Sequence, residues 1–252
     1  MYIEKTTVVS NQEIKNGIYL IGAHSPFIAS NTKPGQFCNI KVSQNDYPLL
    51  RRPFSVCDID KEIVYFMFDI HGEGTRILAH KKVGDEIDIL GPLGKGFELE
   101  GEYKSAVIVA GGLGSAPFPL LLKELPADKN VVCFVGSKSM DLLITNKMKN
   151  VLTATDDGSE GFHGTIIDLL KNEESKLDLN RIRIFGCGPN PMLKALQEYS
   201  ISKNIDCQIS VECAMACGFG ICQGCPIDKF DGEGYYLVCK DGPVFDSRAV
   251  KL

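Results

Sequence analysis

The stretch Ser105-Ala106-Val107-Ile108-Val109-Ala110-Gly111-Gly112-Leu113-Gly114-Ser115-Ala116-Pro117 decides the fold class of this 252-residue chain. Residues 106–110 form a continuous apolar run, the mark of a strand buried on both faces, and a helical pattern over 117–125 follows the glycine turn. Together they make a βα unit. Apolar runs at 131–135 and 182–185, with helical patterns at 164–171 and 191–202, continue the alternation and predict a parallel sheet.

Upstream the texture differs. Short runs of alternating apolar residues, such as 17–21 and 63–68, are separated by Pro, Gly, Asn and Asp, which reads as an antiparallel barrel or sandwich over residues 1–100. The stretch 83–92 adds a turn and one more strand, and a glycine-rich run at 91–96 closes the region. Downstream of 206 no further helix is read, and the last 47 residues hold six of the ten cysteines. So small a segment lacks a core and needs a staple. The expected organisation is a β-barrel at 1–100, an α/β domain at 101–205 and a cysteine-bearing domain at 206–252.

With 44% apolar and 23% charged residues the composition is that of a globular protein. A net charge of −5 gives no pull toward nucleic acid or anionic lipid. No basic leader with an apolar core opens the chain and no apolar run approaches the ~18 residues that span a bilayer, so neither nucleic acid nor membrane is an expected partner and the cytoplasm is the expected compartment. A reducing compartment disfavours a disulfide framework, which leaves metal or redox use for some of the cysteines.

Four thiolates that converge on two irons need a tight loop for three of them and a return from elsewhere for the fourth. Cys217-x4-Cys222-x2-Cys225, followed by Cys239, has the plant-type [2Fe-2S] spacing. Glycines at 218, 220 and 224 let the backbone wrap closely and aim N–H groups at the sulfurs. A four-cysteine zinc site usually takes two C-x2-4-C knuckles, of which one is present, and buried free cysteines are the remaining alternative. Cys207 and Cys213 fall outside the spacing and read as structural; Cys38, Cys57 and Cys133 read as small core residues.

Gly111, Gly112 and Gly114, between strand and helix, suit the close approach of a pyrophosphate to the backbone. Pro117 stands where the third glycine of GxGxxG would be, and an ordinary glycine turn explains the residues equally well. Gly186-Cys187-Gly188-Pro189 occupies the same kind of strand end, although a buried thiol ahead of a helix with proline in its first turn is the simpler reading of those residues alone. Arg52-Pro53-Phe54-Ser55 offers a guanidinium, a stiffened backbone and a hydroxyl on a strand, and Gly72-Glu73-Gly74-Thr75-Arg76 offers a second anion-friendly turn leading into a helix. Each alone is ordinary surface structure. His24, His71, His80 and His163 have no ligand spacing.

Taken in order, Leu50-Arg51-Arg52-Pro53-Phe54-Ser55, Gly72-x-Gly74-Thr75, Gly111-Gly112-x-Gly114-x-x-Pro117, Cys187-Gly188-Pro189 and the cysteine segment resemble the ferredoxin-NADP reductase superfamily with a C-terminal [2Fe-2S] domain. More closely, 212–225 and Val238-Cys239-Lys240-Asp241-Gly242-Pro243-Val244-Phe245 look like the electron-transfer subunits of dihydroorotate dehydrogenase type B. The resemblance covers essentially the whole chain. It implies an FAD-binding barrel, an NAD-binding α/β domain and a cluster domain. Arg52, Pro53, Phe54 and Ser55 would lie along the FAD, Gly74 and Thr75 at its diphosphate, and Met67, Phe68 and Asp69 beside it. Asp69 departs from the family, which usually has a basic residue there.

By the same resemblance the Gly111–Pro117 turn, Gly188 and Pro189 would hold the dinucleotide, and Cys187 would border the nicotinamide as the catalytic candidate. Lys138 alone, without an arginine pair, follows the 131–135 strand; with the resemblance, it favours NAD over NADP. The implied activity is a relay from the FMN of a dihydroorotate dehydrogenase catalytic partner through [2Fe-2S] and FAD to NAD+, in a heterotetramer. Subunits of NADH-dependent ferredoxin:NADP oxidoreductase, sulfide dehydrogenase or hydrogenase keep the cofactors with another partner. A zinc-stabilised binding module is the alternative from outside the oxidoreductases.

Overall fold

A computed structural model describes residues 1–45 and 47–252. Six strands, β1 (Tyr2–Lys15), β2 (Ile18–His24), β3 (Phe37–Lys41), β4 (Arg52–Asp60), β5 (Ile63–Asp69) and β6 (Glu86–Leu93), close a barrel in the order β1-β2-β5-β4-β3-β6. All neighbours are antiparallel, and β6 returns to pair with β1. Of the two arrangements open to the sequence, barrel and sandwich, the structure takes the barrel. Alternation puts Ile21, Phe54, Phe66, Phe68 and Ile89 inside, with Phe54 and Phe68 centroids 5.6 Å apart. Two short helices, α1 (Pro26–Asn31) and α2 (Glu73–Ala79), decorate it.

The second unit is built on β7 (Ser105–Gly111), β8 (Asn130–Ser137), β9 (Val151–Thr155), β10 (Phe162–His163), β11 (Ile182–Cys187) and β12 (Asp206–Ser210), with helices α3 (Phe118–Glu124), α4 (Ile166–Asn172) and α5 (Asn190–Ser202). These six strands are parallel, as the alternation predicts. The sheet order is β10-β9-β8-β7-β11-β12 and then a seventh strand, so the chain runs outward from β7 and returns to β11 at β7's other side. That reversal opens a crevice at the carboxyl ends of β7 and β11. The short strands β9 and β10 were not read in the sequence; their runs are brief and mixed with Thr, Asp and Gly.

The cysteine segment contains β13 (Pro226–Asp228) and β14 (Tyr235–Leu237), which pair with each other, then the single turn α6 (Val238–Asp241) and β15 (Val244–Asp246). The last of these is the seventh strand of the sheet, antiparallel to β12. Both β12 and β15 thus belong to the sheet although they lie beyond residue 206. The cluster loop and its hairpin are hung between them, and Val211 N–H donates to the Pro243 carbonyl at 3.0 Å where the segment leaves and re-enters. Contrary to the expectation of no helix after 206, α6 is present, and it carries Cys239.

Barrel and sheet are held together by ionic contacts around Asp58. Its buried carboxylate receives Lys147 Nζ at 2.5 Å and has Lys123 Nζ at 3.8 Å, while Lys15 Nζ donates to the Met140 and Leu143 carbonyls at 2.6 and 2.7 Å. No helix among the described residues is long and apolar enough to cross a membrane. Phe245 on β15 is buried and packs at a tilt against Tyr236, ring centroids 5.6 Å apart, which joins the hairpin to the sheet. Phe245→Ala is expected to cost about 3–5 kcal/mol of stability, read by denaturant titration, and to loosen the cluster segment first, read by faster iron loss to a chelator.

Candidate functional site

A cavity of about 470 Å³ lies between barrel and sheet. Its barrel wall is Pro53, Phe54 and Ser55 of β4, Met67, Phe68 and Asp69 of β5, and Thr75 of α2. The sheet contributes Leu113 and Ala116 from the glycine turn and Ser210 to Cys213 from the end of β12. Seven of the nine residues expected along a flavin nucleotide are therefore brought together. Arg52 and Gly74 stand just behind them, packed so closely that a Cβ on Gly74 would strike the Arg52 guanidinium. The first turn of α2 is thereby held beside a fixed positive charge, with Thr75 Oγ1 accepting from the His71 and Gly72 N–H groups at 2.8 and 3.1 Å. An apolar aromatic wall ending in a cationic turn fits a ring system that carries a diphosphate.

Asp69, where the resemblance implies a basic residue, faces this cavity together with Glu212. Crowding by protein atoms raises the Glu212 carboxyl above its ordinary range and the Asp69 charge adds to the shift, even though part of the side chain remains open to the cavity. Sequence reading missed Glu212, since no local pattern marks the residue after a strand as a cavity wall.

A second cleft, about 530 Å³, opens over the carboxyl ends of β7, β8 and β9. Gly111, Gly112 and Pro189 line it as the resemblance implies, joined by Gly136, Ser137, Lys138, Asp156 and the start of α4. Gly114 and Gly188 lie behind it. A Cβ on Gly114 would run into the Cys187 carbonyl, and one on Gly188 would strike the Met192 side chain and come within 3.1 Å of Gly111 Cα, so the two strand ends meet closely beneath Met192. Pro117 sits at the N-terminus of α3. Cys187 is 2% exposed and lines neither cavity; burial, then the Glu212 charge, raises its thiol well above the ordinary range, and a Ser210 hydrogen bond opposes this. A groove bounded by Asp69, Ile70, Gly112, Leu113 and Leu142 joins the two clefts.

The cluster cysteines converge from two directions. Cys225 and Cys239 are buried with sulfurs 3.1 Å apart, and Cys239 N–H points at Cys225 Sγ at 3.5 Å. Cys217 Sγ receives the Phe219 and Cys222 N–H groups, each at 3.5 Å. Burial raises the Cys217 thiol, but those N–H donors outweigh it and bring the group down to about 6. Desolvation, then the neighbouring Cys225, pushes Cys239 up to about 12. Two thiols packed this tightly resist ionisation, and bound iron would supply the compensating charge.

Gly218, at φ +80°, lies against the buried Asn39 of β3, whose amide Nδ2 donates to the Cys217 carbonyl at 3.3 Å. Asn39 is invisible to sequence reading because it comes from the barrel, 178 residues away. Cys213, read as structural, lies beside Cys225 and walls the flavin-type cavity.

The model of the iron-sulfur cluster binding domain of dihydroorotate dehydrogenase B matches residues 212–251. The dihydroorotate dehydrogenase B (NAD(+)) electron transfer subunit of Caldanaerobacter subterraneus subsp. tengcongensis is 39% identical over 250 residues, 98% of this chain and 97% of the relative. This chain belongs to the dihydroorotate dehydrogenase B electron transfer subunit family.

An NADH-dependent reduced ferredoxin-NADP oxidoreductase structure superposes with TM-score 0.87 at 25% identity, covering 98% of this chain and 90% of that one. A ferredoxin NADP+ reductase from Neisseria gonorrhoeae with bound FAD and NADP has TM-score 0.68 and 18% identity, covering 81% of this chain and 92% of its own, and shares the fold. The matched iron-sulfur cluster binding domain contains all four of these cysteines, and the zinc module drops out. Cys225→Ser is expected to abolish most of the cluster, seen as loss of visible absorption, iron and sulfide, whereas Cys133→Ser, remote in the sheet core, leaves all three near wild type.

Proposed function

We propose that this chain is the electron-carrying subunit of an NAD-linked dihydroorotate dehydrogenase, receiving electrons from the FMN of a catalytic partner and delivering them to NAD+ for pyrimidine biosynthesis in the cytoplasm. The observation that carries the reading is the course of one segment. Glu212, Cys213 and Met215 wall the flavin-type cavity, and Cys217, two residues on, is the first of the four spaced cysteines. The [2Fe-2S] cluster supplies single-electron transfer and FAD the exchange between one- and two-electron carriers.

The chain's own residues bind, orient and exclude water. Phe54, Met67 and Phe68 give the cavity its apolar face, and Ser55 and Thr75 place hydroxyls along it. Arg52 sets a positive charge at the α2 turn for the FAD diphosphate. Gly111 and Gly112, with Pro189 opposite, leave room for the dinucleotide backbone, while Gly114, Pro117 and Gly188 shape the turn from behind. Cys187, buried beneath Ser210 and Glu212, acts through them as a positioning residue for the nicotinamide end.

Cys222 is exposed, and its loop neighbours Phe219 and Ile221 expose 39% and 75% of their surfaces. An apolar rim around an exposed cysteine suits burial against the FMN subunit in a heterotetramer. Anaerobic purification with flavin, iron and sulfide assays, followed by dihydroorotate-dependent NADH formation with and without the FMN subunit, tests the reading. Activity only with the partner supports it, and coupling to a ferredoxin:NADP partner in its place overturns it. Arg52→Ala is expected to weaken FAD retention on the order of 10- to 100-fold, the loss of a charge-assisted contact, measured by flavin content after gel filtration.

A further inference from the structure

Two charged side chains line the dinucleotide-type cleft, Lys138 after β8 and Asp156 after β9. They act on a ribose phosphate in opposite senses. The lie of a dinucleotide follows from the strand order and the groove that joins the two clefts at Gly112 and Leu113. A nicotinamide that exchanges electrons with a flavin sits at that junction, its pyrophosphate falls on the Gly111–Gly112 turn, and its adenosine extends the other way, over β8 and β9.

There Asp156 N–H donates to the Ser137 carbonyl at 3.1 Å, tying the end of β9 to the end of β8. The neighbouring Asp157 carboxylate is taken by the Ser159 N–H and hydroxyl at 2.9 and 2.6 Å. The Asp156 carboxylate makes no hydrogen bond or ion pair among the described residues and is exposed at the cleft.

We propose that Asp156 selects the dinucleotide, accepting hydrogen bonds from the adenosine ribose hydroxyls and repelling a 2′-phosphate. This rests on the reading of the cleft as a dinucleotide site. A ribose 2′-hydroxyl donates, whereas a 2′-phosphate only accepts and carries ~1.5–2 negative charges. Lys138 is a hydrated point charge on a flexible stem without the fork that grips phosphate, whereas Asp156 is tied at the end of β9 to the end of β8 through its backbone. The unpartnered carboxylate therefore favours NAD(H) in spite of the lysine.

The test uses the full chain loaded with FAD and cluster. Flavin reduction by NADH and NADPH is compared in stopped flow, and binding of AMP and adenosine 2′,5′-bisphosphate is compared by calorimetry. The wild type is expected to prefer NADH and AMP. Asp156→Asn lowers both preferences on the order of tenfold, and Asp156→Arg reverses them, as removal and then inversion of a charge a few ångströms from a phosphate requires. Asp157→Asn leaves both ratios unchanged. A wild type that prefers NADH while both Asp156 variants keep its ratios overturns the assignment to Asp156. Failure of the wild type to bind any of the four nucleotides overturns the dinucleotide reading itself.

Discussion

Backbone continuity between β12 and Cys217 is the constraint from which the rest of the arrangement follows. Ser210 is the last residue of β12, in register with Cys187 of β11, so its position is set by the hydrogen-bond ladder of the sheet. Val211, Glu212, Cys213 and Met215 then run along the flavin-type cavity before the chain turns into the cluster loop. A segment this short cannot wander: six residues lie between Ser210 and Cys217, a span of at most ~25 Å when fully extended. The sheet therefore fixes both how deep the cavity is and how far the cluster lies from it. The return strand β15 fixes the other end, because the Pro243 carbonyl takes the Val211 N–H.

The cluster segment gains from this suspension what its size denies it. Its buried side chains, Cys225, Leu237, Val238 and Cys239, pack into the same apolar cluster as Ile184, Leu193 and Ile209 of the sheet. Iron binding then has to organise only the loop from Cys217 to Cys225, where Phe219 and Cys222 already turn their N–H groups toward Cys217 Sγ. Preorganised donors of this kind lower the cost of holding a thiolate and contribute to the potential of whatever cluster it binds. Asn39 extends the support to the barrel, so all three structural units touch the loop or its anchors.

What the sequence made legible was what local chemistry specifies. Cysteine spacing pointed to an iron-sulfur segment, which the matched domain at 212–251 supports, the apolar run at 106–110 identified the central strand, and the glycines at 111, 112 and 114 marked the strand end that needs close backbone approach. The barrel was legible from alternation, but its closure was not, since pairing of β6 with β1 joins residues some eighty positions apart. The same distance rule hid the walls of the cavity. Glu212 and Cys213 look like the approach to a cysteine motif, and only the sheet register turns them toward the barrel. Cys187 carries the converse lesson: its place at a strand end is right, yet the glycines that let β7 and β11 approach so closely also seal its thiol beneath the surface.

Asp69 shows why charge at such a site has to be read from the assembled cavity. On its own strand it is an anion where the resemblance implies a cation, which argues against a phosphate contact there. In the fold it faces Glu212 across the cavity, and the two carboxylates raise the cost of adding negative charge between them. Arg52 answers that charge from behind Gly74, at the α2 turn rather than on β5. Anion binding and anion repulsion are thereby separated along the cavity, with the cation at the end suited to a diphosphate and the acids beside β12. Negative charge added between the two acids is therefore costlier than at the α2 turn, the end of the cavity that suits an anionic group.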